Sequence, residues 1–197
     1  MNDATQHAES VADWDGLMPP YRTIVVDPPW EYAEGFPTQS RTPGKWSGAI
    51  KTKALPYSSM SLDQIKAMPV SSLAAPDARL FLWATSRYLG AAFDVMEAWG
   101  CKYRQALVWH KLDGNMGGSV APCSAEFLLV GVWGKPPVLA KAASAVISHA
   151  QAKNHSQKPA AFGDLVELVS PGPYVELFAR APRLGWDAWG YGYEMAS

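Results

Sequence analysis

The chain has 197 residues and a formal net charge of −1; 48% of its residues are hydrophobic and 18% charged. That apolar share excludes a disordered chain, and the length fits one domain, or one domain with a mobile insertion. The near-neutral balance argues against tight, non-specific binding to a phosphate backbone, so any electrostatic footprint on nucleic acid must be local.

Residues 1–20 read as a loosely ordered arm, and residues 21–197 as a single domain. The arm is polar and acidic over Met1 to Ser10, unlike a secretory leader. Tyr21 to Val26 is short, β-branched and stopped by proline, which predicts a buried strand. Asp27-Pro28-Pro29-Trp30 follows directly, and therefore sits at the carboxyl end of a strand, where open α/β sheets place their ligands. Residues 31–59 are rich in Gly, Pro, Ser and Thr without a helical period, which predicts a long active-site loop. Within it Arg41, Lys45, Lys51 and Lys53 form a basic stretch with no acid among them, and Trp46 lies beside Lys45.

Ser61-Leu62-Asp63-Gln64 has the pattern of a capping box, opening a short helix to about Met68 that Pro69 stops. Arg79 to Ala84 is a second buried strand. Leu89 to Trp99 is an amphipathic helix with Leu89, Phe93, Met96 and Trp99 near one face, ended by Gly100. Gln105 to Lys111 is a third strand, Asp113 to Ser119 a glycine-rich loop, and Glu126 to Trp133 a fourth strand. Val138 to Ala152 is alanine-rich and ambiguous. Pro159 fits the first turn of a helix to about Val169. A turn at Ser170-Pro171-Gly172 leads into a strand from Tyr174 to Phe178, and Gly185 precedes a last strand from Trp186 to Trp189. Strands alternating with helices predict a doubly wound α/β sheet. Trp83, Trp109, Trp133 and Trp189 fall on strands and read as core.

Cys101 and Cys123 have neither metal-ligand spacing nor a disulfide framework, and His7, His110, His149 and His155 are scattered. No apolar run approaches the ~20 residues of a membrane span. These features predict a reducing, cytoplasmic setting, with no membrane association and no metal.

The tetrapeptide suits one chemistry, methylation of an amino group on a nucleobase. An exocyclic amine is a poor nucleophile because its lone pair is delocalised into the ring. Two acceptors for its N–H bonds favour a pyramidal nitrogen with the lone pair free. Asp27 offers a carboxylate, and Pro28 a carbonyl on a backbone that Pro28 and Pro29 hold rigid. Trp30 offers a flat face for a base taken out of its strand. The plain alternative is that the prolines end a strand and Trp30 fills the core.

Several stretches in order extend this reading. They are Asp27-Pro28-Pro29-Trp30, Leu55-Pro56-Tyr57 with Met60-Ser61-Leu62, Leu80-Phe81-Leu82-Trp83, and Val108-Trp109 with Lys111. Glu126 with Leu129-Val130-Gly131, Lys158-Pro159, Ser170-Pro171-Gly172, Glu176-Leu177-Phe178-Ala179-Arg180 and Gly185-Trp186-Asp187 complete the set. On these residues the chain resembles the MT-A70 family of adenine-N6 methyltransferases, in the compact form of prokaryotic or phage members. The resemblance implies S-adenosylmethionine as cofactor. It also implies a Rossmann-like methyltransferase sheet in permuted order, with the catalytic tetrapeptide before the cofactor strand Tyr174 to Phe178 and an antiparallel strand beside the C-terminal strands.

By that resemblance Asp27, Pro28, Pro29 and Trp30 are catalytic, and Asp27 also touches the ammonium of the cofactor's methionine part. Lys158, at a helix start that already favours an anion, pairs with the cofactor carboxylate. Glu176 interrupts an apolar strand and binds ribose hydroxyls; Phe178 of the same strand is a further cofactor contact, and Arg180 holds the ribose or fixes Glu176. Tyr57 lines the acceptor pocket, with Trp30, Trp46, Lys45 and Glu126 as further substrate contacts. Trp46 equally reads as cover for the domain's own apolar surface, and Glu126 as a surface carboxylate. Relatives carry Gly-Asn and then Gln or Glu after the last strand, touching the ribose; here Gly190-Tyr191-Gly192 stands, which leaves Tyr191 in that place.

An arginine-rich central loop, a mark of the eukaryotic RNA enzymes, is replaced here by Asp113 to Gly118. The expected function is thus methyl transfer to N6 of adenine in DNA, with RNA methylation and a non-catalytic nucleic-acid-binding partner subunit as the rival readings. The small size and charge are compatible with a homodimer or an accessory subunit.

Overall fold

The computed structural model describes residues 14–31, 59–113, 120–150 and 158–190. Most of the expected 31–59 loop, with Lys45, Trp46 and Tyr57, lies outside the described residues, as do Tyr191, residues 114–119 and residues 1–13.

Among the described residues seven strands form one sheet: β1 (Tyr21–Val26), β2 (Ala74–Thr85), β3 (Lys102–Lys111), β4 (Ala125–Trp133), β5 (Val146–His149), β6 (Tyr174–Leu177) and β7 (Trp186–Trp189). Their spatial order is β5-β3-β4-β2-β1-β6-β7. The helices are α1 (Leu62–Ala67), α2 (Leu89–Ala98) and α3 (Ala160–Val169). The Rossmann-like α/β class expected of the sequence is the one observed. Strand β4 runs antiparallel to both β2 and β3, while β1, β2, β6 and β7 are parallel. It therefore lies across β2 and β1 from β6 and β7, which corrects the expectation of an antiparallel strand beside the C-terminal pair. Strands β3 and β4, consecutive among the described residues, pair directly as antiparallel neighbours, so the second returns alongside the first.

Alternation along the strands builds two cores. Ile24, Val26, Leu80, Leu82, Leu129, Val175 and Leu177 face α1 and α2. Val25, Phe81, Trp83, Leu107, Trp109 and Leu128 face Phe162 and Val166 of α3. A sheet covered on both faces explains why β1 and β2 read as continuous apolar runs.

Local signals hold where they were strong. Ser61 caps α1 and Gln64 reaches back to its N–H, at 3.2 and 2.8 Å. Helix α2 ends at Gly100, whose φ of +65° suits a residue without Cβ. Its buried residues, however, are Ala92, Val95 and Met96, and Phe93 is 39% exposed. The expected stripe through Phe93 is rotated: that ring packs edge-on against Tyr103, 5.0 Å away, at the rim of the sheet. The ambiguous stretch after Pro137 contributes β5, parallel to β3.

Candidate active site

Asp27, Val25 and Thr23 alternate onto the α3 face of β1. On the same face lie Glu176 of β6, in register with Val25, and Trp109 and Lys111 of β3. Glu126, the second residue of β4, lies opposite Trp109 and Thr85. Because β4 runs against its neighbours, its first residues lie level with the last residues of β2 and β3. Lys158, just ahead of α3, completes the cluster. Residues from five segments thus meet at the carboxyl edge of the sheet.

A chain of ion pairs links Lys111, Glu126, Lys158 and Asp27. Lys111 Nζ pairs with Glu126 Oε1, and Lys158 Nζ lies 3.0 Å from Glu126 Oε2 and 3.1 Å from Asp27 Oδ2. Arg180 is 3.6 Å from the same Asp27 oxygen. Each lysine also rests on an indole face, Lys111 on Trp109 at 4.8 Å and Lys158 on Trp83 at 4.9 Å, where a cation meets the negative face of the ring. Burial works against the charge on Glu126, but Lys158 and Lys111 outweigh it and hold the carboxyl below its usual range. Burial likewise opposes the Lys158 ammonium, and Asp27 and Glu126 outweigh it, raising its pKa.

A cavity of about 160 Å³ opens beside this chain, lined by Asp27, Lys158, Glu176, Arg180, Arg183 and Trp186 among others. Burial pushes the Glu176 carboxyl up to about 7, and the nearby Asp27 adds to this against the pull of Lys158, Arg183 and Arg180. Among the described residues Glu176 makes no ion pair. Arg180 pairs with Asp27 instead, which corrects the alternative of a mutual Glu176–Arg180 bridge. After β6 the backbone turns sharply through Phe178, φ 63°, and carries Arg180 toward the end of β1.

Other predicted residues take different places. Trp30 is 4% exposed; Tyr88 stacks on it at 5.1 Å and its Nε1 donates to the Trp83 carbonyl at 3.2 Å. A covered face and a tied edge make it a buttress of the Asp27 turn, so an open stacking platform is not what this indole presents. The Pro28 carbonyl accepts the Trp30 N–H at 2.8 Å, and the Pro29 carbonyl accepts that of Met60 at 2.9 Å. Pro28 retains its second lone pair for another donor. Phe178 is buried with its ring edge-on to Trp189, on the face away from the cavity. Glu126 is buried behind Lys158 and is not among the residues lining the cavity.

Arg183 escaped the sequence reading. Its Nε and NH2 donate to Glu167 and Asp164 at 2.7–2.8 Å, which anchors it across α3 at the cavity wall. It fits there because Gly163 has no side chain: a Cβ would come within 2.5 Å of the guanidinium. No spacing in the sequence announces a contact between Gly163 and Arg183.

A carboxylate at a strand end, an ammonium at a helix start and a second carboxylate along one cavity form a polar site that matches the order of motifs along the chain. A sequence model of MT-A70 matches residues 21–192. This chain belongs to the MT-A70 family. The type II methyltransferase M.MunI of Mycoplasma sp is 31% identical over 179 residues, covering 86% of this chain and 76% of that protein. The N(6)-adenine-specific methyltransferase METTL4 of Mus musculus is 29% identical over 190 residues, 86% of this chain and 37% of the mouse protein. The N(6)-adenosine-methyltransferase MT-A70-like protein of Drosophila melanogaster is 27% identical over 168 residues, 81% of this chain and 24% of the fly protein. The chain thus spans most of the mycoplasma protein and a minor part of the two animal ones. As an MT-A70 member it is an enzyme of the adenine-N6 methyltransferase class.

Proposed function

We propose that this chain transfers a methyl group from S-adenosylmethionine to N6 of adenine in DNA. The observation that carries the reading is the Asp27 carboxylate at the end of β1, 3.1 Å from Lys158 and beside the Glu176 cavity. The donor set fits the cofactor. Asp27 suits its ammonium, Lys158 its carboxylate, and Glu176, without an ion pair among the described residues, suits a ribose diol. When bound, S-adenosylmethionine supplies an electrophilic methyl group on a sulfonium.

The chain's own part is positioning and hydrogen bonding. Asp27 and the free lone pair of the Pro28 carbonyl accept the N–H bonds of the target amine, and that acceptance strengthens as positive charge builds on nitrogen. Trp30, wedged between Tyr88 and the Trp83 carbonyl, keeps the turn rigid. Kinship with a type II methyltransferase favours DNA over RNA, as does the Asp113 to Gly118 sequence in place of an arginine-rich loop.

Nucleoside mass spectrometry after expression in a host lacking adenine methylation tests the reading. N6-methyldeoxyadenosine should form with the wild-type chain and not with Asp27→Ala. N6-methyladenosine appearing in RNA alone moves the substrate to RNA. Methylation that survives Asp27→Ala removes this mechanism.

A further inference from the structure

Two of the charged groups in the buried chain lie off the cavity. Lys111 and Glu126 are each 7% exposed, and neither lines the space that Asp27, Lys158 and Glu176 share. Burying an ammonium and a carboxylate carries a desolvation cost, and an apolar pair would pack the ends of β3 and β4 without it. The geometry suggests what the pair does. Glu126 divides its oxygens, one to Lys111 and one to Lys158, and Lys158 divides its ammonium between Glu126 and Asp27.

We propose that Lys111 is a positioning residue, holding one oxygen of Glu126 so that the other fixes the Lys158 ammonium at the cavity wall against Asp27. The inference rests on the methyltransferase reading, with Lys158 as the group that receives the cofactor carboxylate. Without Lys111 both Glu126 oxygens compete for Lys158 and draw it back from the cavity, or the buried carboxyl takes up a proton and releases it. In either case Lys158 loses its fixed place. Lys111 itself is held by its strand: its N–H donates to the Ser124 carbonyl at 2.7 Å, and its ammonium lies over the ring of Trp109, two residues back on the same face.

Calorimetric binding of S-adenosylhomocysteine to the full chain tests this in a double-mutant cycle. Lys111→Met and Glu126→Gln should each weaken binding by about tenfold, and the double variant should bind no more weakly than Glu126→Gln alone, since the residues act through one another. Lys111→Arg should recover most of the affinity. Among the described residues the charged groups facing Glu126 and Lys158 are Lys111, Asp27 and Glu176, with Arg180 beside Asp27. Of these only Lys111 changes, so Lys111→Met should add an acid limb on which affinity falls as pH drops, and Glu126→Gln should abolish it. Any Glu176 limb is common to all the proteins and cancels in the comparison.

A Lys111→Met protein with wild-type affinity and pH profile overturns the proposal, even if its melting temperature falls. So does a Lys111→Met penalty that persists undiminished beside Glu126→Gln. If Lys111→Met does not fold, Lys111→Gln takes its place in the cycle, keeping a hydrogen bond to Glu126 without the charge. A wild-type chain that fails to bind S-adenosylhomocysteine overturns the methyltransferase reading itself, an outcome distinct from a wild-type chain that binds and a variant that binds equally well.

Discussion

Lys158 Nζ lies 3.1 Å from Asp27 Oδ2, so the groups proposed to receive the cofactor's carboxylate and ammonium are paired with each other. The pairing sets their spacing across the cavity mouth. Lys158→Met should therefore have two effects. Loss of a charged hydrogen bond should lower S-adenosylhomocysteine affinity by about 10- to 100-fold. Leaving Asp27 and Glu126 with one cation fewer should destabilise the fold by about 3 kcal/mol. Calorimetry reads the first and urea unfolding the second. Unchanged affinity in a folded variant would remove Lys158 from the cofactor site.

Glu176 gives a pH dependence of definite sign. Its carboxyl is raised from 4.5 to about 7 by burial and by the nearby Asp27 charge. The folded state thus holds the proton more tightly than the unfolded one. Stability falls as pH rises from 4.5 toward 7, and the cost is fully present above 7. Glu176→Gln should be more stable than wild type at pH 8, by at most about 3 kcal/mol, with the difference vanishing near pH 4.5. A ribose diol donates to the ionised carboxylate, so cofactor affinity should rise through pH 7 in wild type and stay flat and weaker in Glu176→Gln. Melting curves and calorimetry across pH 5–8.5 decide it. A flat wild-type profile would mean that Glu176 stays ionised or stands off the ligand.

What could be read without coordinates follows the range of the forces involved. Strands β1 and β7, the Ser61 capping box and the Gly100 stop are encoded within a few residues, and each is where the sequence puts it. Asp27 at a strand end followed from Pro28 and Pro29, which cannot continue a ladder. The Lys111–Glu126–Lys158–Asp27 chain was not legible as a chain, because it joins segments far apart in sequence through sheet order. The position of β4 makes that junction, and a strand's direction leaves no local mark. Trp30 misled for a related reason: an aromatic beside a strand-end carboxylate looks the same in sequence whether its face is open or covered by Tyr88.

Arg79 shows how the helix carrying the site is held. Buried on β2, it donates to the Val169 carbonyl at the end of α3 at 3.1 Å, and to the Pro136 and Pro137 carbonyls at 3.3 and 3.1 Å. Burial lowers its pKa, yet a guanidinium remains charged and its fork reaches three acceptors that one ammonium could not match. Arg79→Met should leave these carbonyls short of donors and cost about 2 kcal/mol of stability. Arg79→Lys should recover only part of the loss. Thermal melts of the two variants measure both, and a Lys variant as stable as wild type would show that charge, and not the fork, is what α3 requires.

Gly190 ties the end of β7 to the turn that delivers Arg180. Its φ is +124°, and a Cβ there would lie 2.6 Å from Phe178 Cα and 2.8 Å from Phe178 N. Phe178 is itself at φ 63° and donates its N–H to the Trp189 carbonyl, a close approach of two backbones that only glycine permits. Gly190→Ala must push the Phe178 backbone away, and two residues on lies Arg180, 3.6 Å from Asp27. The expected result is a loss of about 2–3 kcal/mol together with weaker S-adenosylhomocysteine binding. Phe178→Ala provides the comparison: it removes ring packing on Trp189 but leaves the backbone approach intact, so it should lower stability while sparing affinity. If Gly190→Ala reduced stability alone, Arg180 would not depend on this turn for its place beside Asp27.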